Sequence, residues 1–322
     1  MGNTFGDAST NWVKFQVRES IVRCIVEAGI ESRIHQRAIL FAILAAALYA
    51  MSSPISKLLL KQVSPTFMAS FLYLGAGIGM ALVGFVKIVN GTGSSEMKLT
   101  AKEVPYTIGM VVLDIAAPIF LMIGLTTATP ENVSLLNNFE IVATSLIALL
   151  IFKEQITKRL WSAIILITLA SMILSMENMN SFSFSIGSIF VLLACTCWGL
   201  ENNFTRKLSI KDPLQVVVIK GFGSGTGSLL IALAIHERVS NWLYIFAALL
   251  LGFLAYGMSI FFYIYAQRYL GAAKTSAYYA VSPFIGAGLS LLIFRDVPTL
   301  TFLVALAIML VGTYLASIDG KE

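Results

Sequence analysis

The chain has 322 residues, of which 57% are hydrophobic and only 12% charged, with a net charge of +5 and a mean hydropathy of +0.84. Soluble domains carry about 25% charged residues, so this chain cannot cover most of its area with a water-facing surface, and lipid is the solvent its composition fits. The basic residues are scattered rather than gathered in one patch, which excludes nucleic acid as a partner, and the three cysteines, Cys24, Cys195 and Cys197, give no disulfide framework.

Residues 1–36 differ from the rest. They hold charges of both signs and lack the apolar run of a signal peptide. Trp12, Phe15, Ile21, Val22, Ile25 and Val26, with Lys14, Arg18 and Arg23 between them, fit either an amphipathic helix on the membrane surface or an unordered tail.

A spanning helix needs about 20 apolar residues. Ten such stretches can be drawn, at roughly 38–57, 66–86, 105–124, 132–152, 160–176, 187–205, 214–235, 242–262, 272–294 and 299–317. The expected fold is therefore an all-α polytopic membrane protein of ten transmembrane helices. With the N-terminus inside, the inner connections and tails hold 17 Lys and Arg. The outer connections hold 4, namely Lys57, Lys61, Arg238 and Arg295. The positive-inside rule then puts both termini in the cytoplasm.

The fourth stretch holds Asn137, Asn138 and Glu140 near its middle, and its end recurs later in the chain. Leu149–Glu154 reappears as Leu291–Asp296, and the same offset aligns Phe120 with Phe262, Ser134 with Ser276 and Glu140 with Ser282. Near the front of each half, Pro65, Gly75, Gly77 and Gly79 align with Pro213, Gly223, Gly225 and Gly227. Tyr49 aligns with Trp198, and Lys57 with Arg206. Residues 37–176 and 187–317 thus read as two related five-helix units, followed by a short tail at 318–322. Five is odd, so the second unit is expected to be inverted relative to the first, as in many secondary transporters.

Asp114, Glu140, Glu201 and Lys220 fall well inside the drawn spans, away from their ends. A charge at mid-bilayer costs about 2.5–3.5 kcal/mol on insertion scales and usually faces the protein interior or a wet path. Glu140 is the most central, and Asn137 and Thr144 share its helical face. It fits a proton carrier or cation site, with Asp114 as helper, or else a structural carboxyl bonded to asparagine. Glu201, with Asn202 and Asn203, lines a cytoplasmic entrance or simply reaches water at a helix end. Lys220 either snorkels to the interface or pairs with an acid.

Tyr49, Trp198, Tyr256, Tyr278 and Tyr279 lie on spans one, six, eight and nine. Aromatic faces beside carboxylates hold cations or flat rings, so the cavity set drawn from the sequence is Glu140, Asp114, Asn137, Tyr49, Trp198, Glu201, Asn202, Tyr256, Tyr278, Tyr279 and Ser282. Pro54, Pro118 and Pro283 mark kinks. Gly75-xxx-Gly79, Gly221-xxx-Gly225 and Gly223-xxx-Gly227 let helices approach closely, as static packing or as a rocking contact. Lys153-Glu154 and Arg295-Asp296 end spans four and nine as charge pairs at the interface. No phosphate-binding Gly-x-x-x-x-Gly-Lys-Ser/Thr, no His-Glu-x-x-His and no nucleophile elbow occurs in the sequence. No enzymatic activity, cofactor or metal is expected.

The two five-helix units, the Leu-Ile-Phe-Lys-Glu-Gln-Ile-Thr segment at 150–157 and its echo after span nine resemble the EamA family of the drug/metabolite transporter superfamily. The resemblance covers about residues 37–317. It implies a ten-helix secondary transporter of the inner or plasma membrane, often an exporter of amino acids, metabolites or toxic compounds. It also implies a central cavity lined by spans one, three, four, six, eight and nine. The second copy departs from the family pattern at Asp296, Val297-Pro298 and Phe302, which argues against a catalytic reading of Glu154. The expected partners are a small-molecule substrate, the lipid bilayer and protons, while the oligomeric state stays open. A nucleotide-sugar or sugar-phosphate exchanger is the alternative within transport, but it would want several cavity Lys or Arg. A non-transporting receptor or assembly subunit is the alternative outside transport.

Overall fold

The fold is described from a computed structural model of the chain, which describes residues 33–91, 97–151, 153, 157–178, 183–208, 210–239, 241–270, 275 and 278–319. The expected surface helix over Trp12–Val26 lies outside the described residues, as do Phe152, Glu154, Ser276 and the last three residues of the C-terminal tail.

The described chain is helical almost throughout. Its segments are α1 (Arg33–Leu59), α2 (Pro65–Val89), α3 (Ala101–Thr127), α4 (Pro130–Leu150), α5 (Lys158–Ser175), α6 (Ile186–Leu208), α7 (Pro213–Ala234), α8 (Trp242–Leu270), α9 (Ser282–Phe294) and α10 (Leu300–Asp319). A small antiparallel pair, β1 (Met176–Asn178) and β2 (Ser183–Phe184), joins α5 to α6. Among the described residues, seven helices are long and apolar enough to cross a bilayer: α1–α5, α7 and α8. Helix α9 and the apolar part of α10 are shorter, and the apolar run of α6 is cut by Glu201-Asn202-Asn203.

Local sequence explains where the helices start and stop. Pro65, Pro130 and Pro213 occupy first-turn positions, where a missing N–H costs nothing. The Asp212 carboxylate accepts from Leu214 N at 2.9 Å, and Asn241 Oδ1 accepts from Leu243 N at 2.9 Å; each is a side-chain cap. Lys153 and Arg295, aligned by the repeat, follow α4 and α9 with left-handed φ values of 55° and 58°. Two expected boundaries shift. Helix α1 begins at Arg33, inside the stretch read as tail, because Arg33–Arg37 extend the helix into an exposed turn. Helix α8 runs on to Leu270 rather than ending near 262.

Three helices are irregular at mid-length. Helix α1 has a turn at Met51, just before Pro54, which cannot donate to the Ala50 carbonyl. Helix α4 tightens at Asn137-Asn138, where Asn138 N, Glu140 N and Ile141 N donate three residues back, to Leu135, Asn137 and Asn138 oxygens at 3.0, 3.1 and 3.0 Å. Helix α9 is preceded by a turn at 280–281, so Glu140 and its repeat partner Ser282 both stand at the start of a regular half-helix. Helix α8 contains a π-helical turn at Phe253–Met258, a local widening frequent at functional sites.

The strongest packing pairs are α3 with α6, α2 with α7, and α5 with α10; α4 packs on α6 and α9, α8 on α2, and α3 on α7. Helices α2 and α7 cross closely because glycine meets glycine. A Cβ on Gly77 would come 2.9 Å from Phe222 N, and one on Gly221 would strike the Gly77 backbone. Large apolar residues such as Leu82, Phe85, Trp242 and Leu292 stand more than 60% exposed on the outside. Such a surface suits acyl chains rather than water.

Candidate functional site

The acidic residues at mid-helix fall in two groups, the first buried and the second partly buried. In the first, Lys220 of α7 places Nζ 3.0 Å from Glu201 Oε1 of α6 and 3.1 Å from Asp114 Oδ2 of α3. The contact with Glu201 is also a hydrogen bond. The contact with Asp114 Oδ2 is an ion pair by distance. Tyr73 of α2 donates its hydroxyl to Asp114 Oδ1 at 2.8 Å, and Thr205 donates to Glu201 Oε1. Asp114, Glu201 and Lys220 are 0%, 2% and 6% exposed. Isolated charges are far too costly there, so pairing is what allows them. Two carboxylates around one ammonium leave the group with one formal negative charge.

In the second group, Asn202 Nδ2 donates to Glu140 Oε1 at 2.6 Å and reaches Thr144 Oγ1 at 3.5 Å. Asn202 follows Glu201 directly, so adjacent residues of α6 serve the two acidic groups. A close approach of α4 and α6 makes this possible: a Cβ on Gly199 would meet Ala143 and Thr144 N at 2.6 and 2.8 Å.

A string of tyrosines runs between these groups. Tyr73 and Tyr256 have ring centroids 5.2 Å apart, Tyr256 and Tyr49 5.8 Å, Tyr49 and Tyr279 5.9 Å, and Tyr279 and Tyr263 4.9 Å. Tyr256, on the π-helical turn of α8, also meets the Ser52 hydroxyl at 3.4 Å. Tyr49 and Tyr279 are both within charge range of Glu140. Trp198 is buried in the same core and reaches the Tyr73 hydroxyl.

Several sequence-predicted residues sit elsewhere or differently. Asp114 does not adjoin Glu140; it belongs to the Lys220 group. Glu201 does not end in water: it is 2% exposed, and Lys220 reaches it from α7. Lys220 does not snorkel. Asn137 is buried, with Oδ1 4.0 Å from Cys195 Sγ. Tyr278 faces another cluster, of Ala38, Ala42, Ala266 and Leu270. Ser282 is 1% exposed and its hydroxyl has no partner. Tyr73 was missed in the sequence because a tyrosine in an apolar helix carries no signal until its partner is known. A surface groove of about 500 Å³ between α2 and α8 is lined by apolar residues with Lys87 at one end and includes none of these acids.

Among the described residues no group of three or more His, Cys, Asp or Glu could hold a metal ion. What the arrangement offers is excess carboxylate beside aromatic faces, which suits a cation or a proton.

Comparison with known proteins bears on the family and the fold. The model of a family described as the EamA-like transporter family matches the chain twice, at residues 36–176 and 185–318. A protein described as "Uncharacterized transporter" from Methanothermobacter thermautotrophicus is 24% identical over 298 residues, covering 87% of this chain and 85% of its own. A solved structure described as "Crystal structure of protein" superposes with a TM-score of 0.63 at 15% identity, covering 87% of this chain and 95% of that one. That likeness speaks to the fold alone.

Proposed function

Because this chain belongs to the EamA-like transporter family, within the drug/metabolite transporter superfamily, we propose that it is a proton-coupled secondary transporter that exports small metabolites, amino acids or amphipathic cations by alternating access. Family membership makes it a transporter-type, multi-pass membrane protein. The substrate class, the coupling and the mechanism are our reading.

The observation that carries the reading is the acidic excess in the core. Asp114 and Glu201 share one Lys220, and Glu140 stands a short way off beside the tyrosines. A site of that sign attracts cations and protons. It disfavours a nucleotide-sugar or sugar-phosphate exchanger, since Lys220 is already held by two carboxylates. Glu140 and Ser282 would face the substrate from equivalent places in the two units, with Tyr49, Tyr256 and Tyr279 gripping its body.

The ten-crossing inverted arrangement is supported by the packing pattern. Numbering the helices so that each in the first unit has a counterpart five later, α2 packs on α7, α4 on α9 and α5 on α10, each on its own counterpart. Two further contacts are matched: α3 with α7 mirrors α8 with α2, and α4 with α6 mirrors α9 with α1. A two-fold axis in the membrane plane generates this pattern. The distribution of Lys and Arg supports cytoplasmic termini and a plasma or inner membrane location.

The test is flux into proteoliposomes holding a pH-sensitive dye, screening amino acids and aromatic cations with and without a proton gradient. A substrate-dependent pH change is expected in the wild type and should vanish in Glu140→Gln. Substrate flux with no proton movement would remove the coupling role of Glu140. Absence of flux for every compound would favour a receptor or assembly subunit.

A further inference from the structure

Seven buried side-chain polar atoms among the described residues have no hydrogen-bond partner. Four of them, Ser56 Oγ, Glu131 Oε2, Ser134 Oγ and Ser282 Oγ, fall on three short segments: Ser52–Leu59 of α1, Pro130–Leu136 of α4, and Ser282–Phe294, which is α9. These three segments pack on one another. The four residues are 0%, 8%, 2% and 1% exposed. An unpartnered buried polar group costs about 1–3 kcal/mol, so four on one seam are not what dry packing selects. Buried water is the usual answer where several polar atoms converge.

The seam has a built geometry. A Cβ on Gly286 would lie 3.0 Å from Ser134 Oγ and 3.1 Å from Ala50 O. The Ala50 carbonyl is the one that Pro54 cannot bond, so a freed carbonyl and a free hydroxyl converge over a residue with no side chain. Ser282 precedes Gly286 by one turn on the same face. Glu131 and Ser134 share a face of α4, with a rise of about 4.5 Å between them. On the ten-crossing reading α4 and α9 run antiparallel, which puts Ser282 about 6 Å deeper than Ser134, level with Asn138 and close to Glu140. On that reading Glu131, Ser134 and Ser282 follow one another in depth from the α3–α4 turn towards the acid at the helix break.

We propose that this α1–α4–α9 seam is a hydrated proton path, with Glu131 as its outer acid and Glu140 as its inner end. The proposal rests on the proton-coupled reading for its destination, and on the seam's own oxygens for its hydration. A proton from the outer side passes along hydrogen-bonded waters beside Glu131, Ser56, Ser134, Ala50 O and Ser282, and the Glu140 carboxylate takes it up. No other bond changes. Around Glu131 the facing charge is Lys57, which is occupied by the Thr126 and Ala128 carbonyls. Around Glu140 the facing groups are Asn202, Tyr49, Tyr279, Cys195, Glu201 and Lys220.

Two measurements test it. Single cysteines, Ser134→Cys and Ser282→Cys, are placed in a background with Cys24, Cys195 and Cys197 replaced by alanine. Silver ion is applied to one face of proteoliposomes, and surviving thiols are counted after unfolding. We expect Ser134→Cys to react at least tenfold faster than Val133→Cys, a fully buried neighbour with an apolar side chain, and Ser282→Cys to react from the same face. Equal protection at all three positions would overturn the hydrated seam, and this readout needs no transport. In the second measurement Glu131→Gln should slow substrate-driven proton movement several-fold and leave substrate counterflow unchanged. An equal loss of both would overturn the proton role. A wild type that moves substrate without protons would overturn the coupling assignment itself, and the silver result would still decide the hydration.

Discussion

Lys220 and Asp114 stand on helices assigned to different units of the chain, yet their charged atoms lie 3.1 Å apart with almost no exposure to solvent. Glu201 holds the same ammonium from the other side at 3.0 Å. The lysine therefore serves as a fixed internal cation that makes two buried carboxylates tolerable and pins α3, α6 and α7 together. Breaking a buried pair is costly because the partner is left behind as an uncompensated charge.

Lys220→Met should therefore lower stability by about 3–5 kcal/mol, the range for removing one member of a buried pair. Adding Asp114→Asn to Lys220→Met should recover part of that loss, since one stranded charge is then neutral. Thermal unfolding in detergent, with the two single variants and the double variant side by side, measures the coupling. A double variant as unstable as the sum of the singles would show that the pair does not act as a unit.

The second acidic group is lighter and depends on one bond. Asn202 Nδ2 donates to Glu140 Oε1 at 2.6 Å, and a hydrogen bond to a charged group is worth about 1.5–3 kcal/mol. Asn202→Ala should therefore cost coupled flux about tenfold or more and lower the melting temperature by a few degrees, less than Lys220→Met does, because Glu140 is only partly buried. Asn202→Gln, which keeps an amide within reach, should recover part of the flux. Flux in Asn202→Ala equal to wild type would mean that Glu140 needs no orienting partner.

These contrasts show what the sequence could and could not supply. The repeat placed Glu140 opposite Ser282, and both residues start half-helices. It also aligned Lys153 with Arg295, and both take left-handed backbone after α4 and α9. Such features are local, so an offset in one dimension carries them. The Asp114–Lys220–Glu201 group is not local. Its members and Tyr73 come from four helices, and each one alone reads equally well as a surface-reaching side chain. Lys220 was open to misreading as a snorkelling residue because it lies only two turns into α7; nothing in the sequence tells that α6 and α3 stand across its path. The unpartnered serines were illegible for the same reason, since a serine in an apolar helix usually bonds its own backbone.

Glycine substitutions should separate tight crossings from open ones. A Cβ on Gly75 would strike the Leu249 carbonyl, and one on Gly225 would come 2.7 Å from Leu74 N. Backbone cannot yield as a side-chain tip can, so Gly75→Ala and Gly225→Ala should each cost about 1–3 kcal/mol through overpacking. Gly288 has nothing within 4 Å of its would-be Cβ, so Gly288→Ala should be neutral or slightly stabilising, because alanine is the better helix former. Melting curves of the three variants decide the point; a loss at Gly288 as large as at Gly75 would contradict the packing.

The last prediction concerns which contact stays still during transport. Helices α2 and α7 are tied along their length and at both ends. Midway, Ser70 Oγ donates to Gly225 O at 2.8 Å in a buried position. At one membrane face the Glu237 carboxylate, just after α7, accepts from Ser64 Oγ at 2.7 Å and from Phe67 N at 3.0 Å, capping the start of α2, and Val63 bridges Val239 through the backbone. At the other face, beyond α2, Met97 O accepts from Asp212 N at 3.0 Å and Leu99 N donates to Gln215 Oε1 at 2.9 Å, while Lys211 pairs with Glu103 at 3.3 Å. A rocking contact would have to break and remake all of these in each cycle. The α2–α7 pair is therefore expected to move as one body, with the change of access arising where α3, α4, α8 and α9 meet the acidic core. An antiparallel bridge holds facing Cα atoms about 4.5–5.5 Å apart, within the range a disulfide accepts. Val63→Cys with Val239→Cys, oxidised in a background free of native cysteines, should cross-link fully and keep at least half of the flux of the reduced form. Loss of flux on oxidation and its return on reduction would make the α2–α7 glycine contact the moving one.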